Sequence, residues 1–247
     1  SAPGNEVDIV VDVVGYTTNT GLIDLVNRVT TLETVSPARV IWVADDNTGD
    51  YASLSEALEA ITDATSSNPY VIKIAPGQYT ANSNVAMENY VDVEGSGQNT
   101  TTINCACSSN NNNASAAVIS AGAITAEIRH LTINNTGGSD QYSTGVWTEN
   151  VVDGSFSMLH VTATATGSTG NYGVNNTSSS PSMNNVTATA TGGTTGAGVT
   201  NFCSVSPPKN NLTSPTTRAI GPYRAYYNST PPPTQHVYAH RQTKHSV

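Results

Sequence analysis

From residue 40 onward the chain is built of short runs in which apolar and polar residues alternate one for one. Leu131 and Ile133 alternate with polar neighbours, as do Val161, Ala163 and Ala165, and then Val186, Ala188 and Ala190. A period of two marks β-strands with one buried face. The pattern also repeats over a longer distance. The phrase Val161-Thr-Ala-Thr-Ala-Thr-Gly167 returns as Val186-Thr-Ala-Thr-Ala-Thr-Gly192, so Met158–Gly167 aligns with Met183–Gly192, and Tyr172-Gly-Val174 with Ala197-Gly-Val199. An earlier copy is visible in Ile128–Gly138, followed by Gly145-Val146. Self-similarity at such periods predicts stacked coils, each pairing with its neighbours. In that arrangement the apolar set above faces inward and the intervening threonines face out. Gly173 and Gly198 are expected at the same corner of adjacent turns.

Two segments carry a helical period instead. In residues 53–61, Leu54, Ala57, Leu58 and Ile61 form one apolar face, with Ser53 or Ser55 placed as cap. In residues 21–35, Leu22, Leu25, Val29 and Leu32 trace an a/d seam over two heptads, with Thr20 as a candidate cap; Pro37 ends the segment. Two heptads are marginal alone, so the seam either packs on its own domain or forms a short self-associating stalk. A strand is expected at 7–16, others at Tyr70–Ile74 and on both sides of the Gly95-Ser-Gly97 turn. After Cys203 the alternation fails. Three regions follow: an N-terminal strand and helical stalk or assembly segment at 1–37, stacked coils at 38–206, and a Pro- and Tyr-rich basic tail at 207–247.

The stretch "VADDNTGDYASLSEALEAI…YVIKIAPGQYT…VDVEGSGQNTTTI" resembles the opening of pectin methylesterases and related pectin-lyase-like proteins, over about 65 residues in matching order. The resemblance implies a right-handed parallel β-helix whose N-terminal end is covered by the helix at residues 55–61. A cover of that kind hides unpaired strand edges. One departure is Asn47, where the family carries glycine. A second, shorter resemblance links Val11-Asp-Val-Val-Gly-Tyr16 to secreted bacterial surface proteins, where such a phrase precedes a coiled coil or repeats. It implies a secreted or cell-surface setting. The expected fold class is therefore all-β, a right-handed parallel β-helix with a capping helix.

Composition narrows the chemistry. Only 11% of residues are charged, against about 25% in ordinary globular domains. The charge is segregated: all 18 acids lie at or before Asp153 with four bases, and five bases with no acid follow. Such asymmetry suits head-to-tail attraction between copies, or simply reflects strands made of Thr and Asn. No basic patch with interleaved aromatics is present, so nucleic acid is not an expected partner. No apolar run of about 20 residues spans a membrane. Cys105, Cys107 and Cys203 have no zinc spacing. Either one of the first two bridges Cys203, or all three are small strand residues.

Pectin methylesterases use two aspartates, an arginine and glutamines on coils well after the opening region. Here that stretch holds threonine, asparagine and glycine, with no carboxylate after Asp153. Asp140, Glu149 and Asp153 are the late acids. Glu127 and Arg129 share a strand face while His130 points to the other, and general acid–base work needs positioned pairs. No catalytic residue, metal site or cofactor is thus expected. The leading expectation is a non-enzymatic, self-associating surface protein, a trimeric spike or a filament, joined through Leu22, Leu25, Val29, Leu32, Tyr223, Tyr226 and Tyr227. The alternatives are a polysaccharide-active esterase or lyase, and a carbohydrate-binding module that presents a Thr/Asn face and Trp147 to surface glycans.

Overall fold

Because the pleat sends successive side chains to opposite faces, the alternating runs become strands with one buried edge of side chains each. The computed structural model describes residues 38–152, 154–202 and 209–213. The chain divides into two units, residues 1–37 and 38–247, and the described residues all belong to the second. Leu22, Leu25, Val29, Leu32, Tyr223, Tyr226, Tyr227 and Cys203 lie outside them.

The strands are β1 (Arg39–Val43), β2 (Tyr70–Ile74), β3 (Gly77–Thr80), β4 (Val85–Ala86), β5 (Val91–Gly95), β6 (Thr101–Cys105) and β7 (Ala117–Ala121), then β8 (Ala126–Asn135), β9 (Tyr142–Glu149), β10 (Phe156–Ala165), β11 (Gly170–Thr177), β12 (Ser182–Ala190), β13 (Thr195–Phe202) and β14 (Lys209–Thr213). One sheet runs β1-β2-β5-β8-β10-β12-β14, with β3 and β6 beside β8; a second runs β13-β11-β9-β7-β4. The ladders are parallel throughout. Parallel neighbours need a long crossover, and here the crossover is the rest of one coil. The result is a parallel β-solenoid of about 6 turns, as the alternation and the repeats predict.

The repeated phrase sits where expected. Ala163 pairs with Ala188 and Thr164 with Thr189; Val161, Ala163, Ala165, Val186, Ala188 and Ala190 are buried, and the threonines between them are half-buried on the outside. Larger side chains fill the earlier coils, among them Ile72, Ile74, Ile103, Ile128, Leu131 and Ile133. β14 pairs with β12, Met183 opposite Lys209 and Val186 opposite Leu212, so the sheet continues beyond residue 206.

Glycine marks the corner after β8, β10 and β12, where Gly137, Gly167 and Gly192 have φ 68, 86 and 73, but the corner inside these strands is not glycine. β8, β10 and β12 each bend at one residue with left-handed backbone: His130 (φ 56), His160 (φ 52) and Asn185 (φ 52). Asn and His enter this region more readily than branched residues. The column is stacked, His130 and His160 edge to face at 5.0 Å and the Asn185 amide 2.8 Å from His160 Nε2. Gly173 and Gly198 lie instead within β11 and β13, flanked by the pairs Tyr172–Ala197 and Val174–Val199. Gly173 is a glycine because the two sheets approach there: a Cβ on it would sit 2.6 Å from the Thr189 nitrogen, and 2.7 Å from the Gly198 oxygen of the neighbouring strand.

Helix α1 (Leu54–Ala60) packs on β1 and β2 with Leu54, Ala57 and Leu58 buried. Of the two cap candidates Ser53 serves, its side chain accepting from the Glu56 N–H at 3.2 Å. Ser53→Ala is expected to cost about 1 kcal/mol, read as a lowered midpoint in urea. In the turn before α1, Asn47 has φ 63. That conformation favours glycine and tolerates asparagine, which accounts for the departure from the family phrase. Cys105 and Cys107, both buried, are joined to each other. Neither is left to bridge Cys203, because the chain turns at the end of β6 and brings the two near neighbours together.

Candidate active site

The outward side chains of the first sheet form two rows. Register places Trp42, Lys73, Glu94, Arg129 and Leu159 side by side on β1, β2, β5, β8 and β10. One position back along the face run Val71 and Asp92, then Glu127 and Ser157. Each residue is outward because its inward neighbours, such as Val93 and Ile128, fill the core. Acids from two distant stretches are thereby gathered around one arginine.

Arg129 Nη1 donates to Glu127 Oε1 at 2.8 Å and to Asp92 Oδ2 at 3.4 Å, and Nη2 donates to Glu94 Oε2 at 3.0 Å. Lys73 Nζ lies 3.5 Å from the same Glu94 oxygen. The Glu127 N–H donates to Asp92 Oδ1 at 2.8 Å, and Ser157 Oγ donates to Glu127 Oε2 at 2.8 Å. The Arg129 side chain is 21% exposed, so the cluster is half-sheltered rather than a loose surface network.

The environment drives the carboxyls apart. Burial pushes the Asp92 carboxyl above its ordinary range, overcoming the Glu127 N–H and the charge of Arg129. Burial also acts on Glu94, but there the hydrogen bond and charge of Arg129, with Lys73 beside them, outweigh it and hold the carboxyl below its ordinary value. Burial works against the Arg129 charge too, and its bonds to Glu127 and Glu94 more than offset this and raise it. A carboxyl raised at Asp92 beside one lowered at Glu94 is an arrangement suited to acid–base work.

Of the residues weighed from sequence, Glu127 and Arg129 come together and His130 turns to the coil corner. Asp92, Glu94 and Lys73 were missed. The available signal was the period: Val91-Asp-Val-Glu alternates as Glu127-Ile-Arg does. Of the later acids, Asp140 accepts from Ser108 Oγ at 3.2 Å and Glu149 ends β9 in the second sheet, both apart from the cluster; Asp153 lies outside the described residues. Trp147 does not face glycans. It is 5% exposed, on a strand whose outer side is covered by the segment before β7, tied down through Ser109–Tyr142 and Asn112–Asn175. Among the described residues no group of three His, Cys, Asp or Glu side chains is placed to hold a metal ion. No helix among them is long and apolar enough to cross a membrane.

A family model described as Pectinesterase matches residues 40–170, which is more than half of the chain and contains the whole charged cluster. The chain belongs to the pectinesterase family. Solved structures similar to it include a pectin methylesterase mutant in complex with a hexasaccharide (16% identity, 79% of this chain and 59% of that one, TM-score 0.48). Others are a pectin methylesterase from carrot (16%, 73% and 73%, 0.37) and ORF18 of Geobacillus virus E2 (14%, 81% and 39%, 0.44). The chain thus spans 59% of the first of these. Among curated proteins nothing matches. Membership of the pectinesterase family overturns the expectation of a scaffold that is not an enzyme. That expectation weighed the lack of carboxylates after Asp153 and took Glu127 and Arg129 as a plain surface pair. The solenoid instead assembles its acids from earlier coils.

Proposed function

We propose that this chain is a carboxyl-ester hydrolase acting on methyl-esterified pectin, with Asp92, Glu94, Glu127 and Arg129 as its machinery. What carries the reading is that three carboxyls around one arginine occupy neighbouring coils inside the segment that matches the pectinesterase family.

Glu127, bonded to Arg129 and Ser157, takes a proton from water. The water oxygen attacks the ester carbon, and the Arg129 charge stabilises the oxyanion. Asp92, whose carboxyl is pushed above its ordinary range by partial burial, gives its proton to the departing methoxide. Methanol and a uronate result, and Asp92 recovers a proton through Glu127 or solvent. Glu94 does not react; it holds the guanidinium between the two working carboxyls. The uronate product adds a negative charge beside Glu94 and Glu127, which favours its release. An extracellular setting fits both the substrate and the Cys105–Cys107 disulfide.

Methanol release from highly methyl-esterified pectin, followed across pH, tests this. Activity is expected on the acidic side and is lost as pH rises through the raised pKa of Asp92, since the acid must hold its proton. Glu127→Gln is expected to lower kcat by about a hundredfold with the urea midpoint little changed. A wild-type protein that releases no methanol at any pH would refute the proposal.

A further inference from the structure

We infer that Trp42 is a sugar-stacking platform, a binding subsite that holds a uronate ring of the polysaccharide away from the reacting ester. The inference rests on the proposed esterase function. Trp42 is 51% exposed. It heads the row that continues through Lys73 and Glu94 to Arg129. Lys73 Nζ lies 5.9 Å from the indole centroid, so one cation stands between the aromatic face and the acid cluster.

The backbone under the indole is fixed. The Trp42 backbone N–H donates to Asp50 Oδ2 at 2.8 Å, and its carbonyl accepts from the Asp50 N–H at 2.7 Å and the Tyr51 N–H at 3.2 Å. Gly49 lets this loop close: a Cβ there would meet the Trp42 oxygen and the Ala44 nitrogen at 2.7 Å each. A pyranose ring offers a C–H face to the indole, and its carboxyl or ester oxygens reach the Lys73 ammonium. Both partners of a uronate are therefore adjacent, whereas an apolar protein segment would leave Lys73 desolvated. From Trp42 to Arg129 is three strand spacings, about 14 Å, a span of a few sugar units along the solenoid axis.

The test combines Trp42→Ala and Trp42→Phe with pectin and with a single methyl-esterified galacturonate, too short to reach from Arg129 to β1. With pectin, Trp42→Ala is expected to raise KM about tenfold at unchanged kcat, the pattern of lost uniform binding. Trp42→Phe keeps most of the affinity, and the short substrate shows no difference. An unchanged KM with pectin, or an equal loss with the short ester, overturns the subsite. Acrylamide quenching supplies a readout independent of turnover. The quenchable emission of the wild type should vanish in Trp42→Phe and be protected by a partly esterified oligogalacturonide. If the wild type is inactive yet protected, the esterase reading falls and the subsite stands; if it is active and unprotected, the reverse holds. If Trp42 is not quenched in the free protein, it is covered by residues 1–37 or a second copy, and the inference fails.

Discussion

Replacing Arg129 with alanine is expected to cost about 3–5 kcal/mol of stability at neutral pH, the range for removing one member of a sheltered ion-pair group. The cause is less the loss of attraction than what remains. Asp92, Glu94 and Glu127 would face one another with no cation bonded to all three. The sign with pH follows. In the variant Asp92 and Glu94 lose the charge that draws their folded-state pKa values down, so stability falls as pH climbs above their unfolded values. The deficit should be largest near pH 7 and shrink toward about pH 4. In the wild type Glu94 acts the other way: its depressed pKa contributes stability above its unfolded value that is lost as pH falls through the folded one. Urea unfolding of both proteins at two pH values reads the difference. Arg129→Lys should recover only part of it, because one ammonium cannot present the guanidinium's fork to three carboxylates. Methanol release should disappear in Arg129→Ala even at low pH, where the fold recovers. An equal deficit at both pH values would mean the residue matters through packing alone.

Gly173→Val is expected to destabilise by about 3 kcal/mol or more. The added atoms would meet the Thr189 nitrogen at 2.6 Å, the Gly198 oxygen at 2.7 Å and the Ala163 oxygen at 3.0 Å. All three are backbone atoms of neighbouring strands, so no rotamer change relieves the clash. Gly145 stands in the adjacent coil, where a Cβ would lie 2.5 Å from the Gly173 oxygen; the two glycines form a seam that sets the distance between the sheets. Gly122→Ala is the control, since a Cβ there meets nothing within 4 Å. It should leave the urea midpoint within about 0.5 kcal/mol of wild type. A tolerated Gly173→Val would show that the sheets separate there at little cost.

The fold was readable because its rule is local. Alternation alone places Val161, Ala163 and Ala165 inside, and the identical phrase one coil on places Val186, Ala188 and Ala190 above them. The cap was legible to within two residues, Ser53 or Ser55, being set by a few adjacent residues. The corner was not read, although His130-Leu-Thr, His160-Val-Thr and Asn185-Val-Thr align in sequence and the inward phase slips from Ile128 to Leu131. The charged site was harder still. Core partners run Ile72, Val93, Ile128, Met158 and Met183 along the sheet, steps of 21, 35, 30 and 25 residues. With no constant step, nothing in the sequence says that Asp92 stands beside Glu127. The identical spacing of the last two coils invites attention to the part of the chain that has no acids.

That identical spacing has a consequence for how such a chain grows. The unit from Met158 to Gly167 and its copy from Met183 to Gly192 occupy equivalent places, one strand apart, and bury the same kinds of side chain. A solenoid of this type interacts only between adjacent coils. Copying the 25-residue stretch once more would add a storey without disturbing the charged face on β5 and β8. The chain holds two kinds of real estate: diverged coils that carry chemistry, and interchangeable ones whose number is free to vary as duplications come and go.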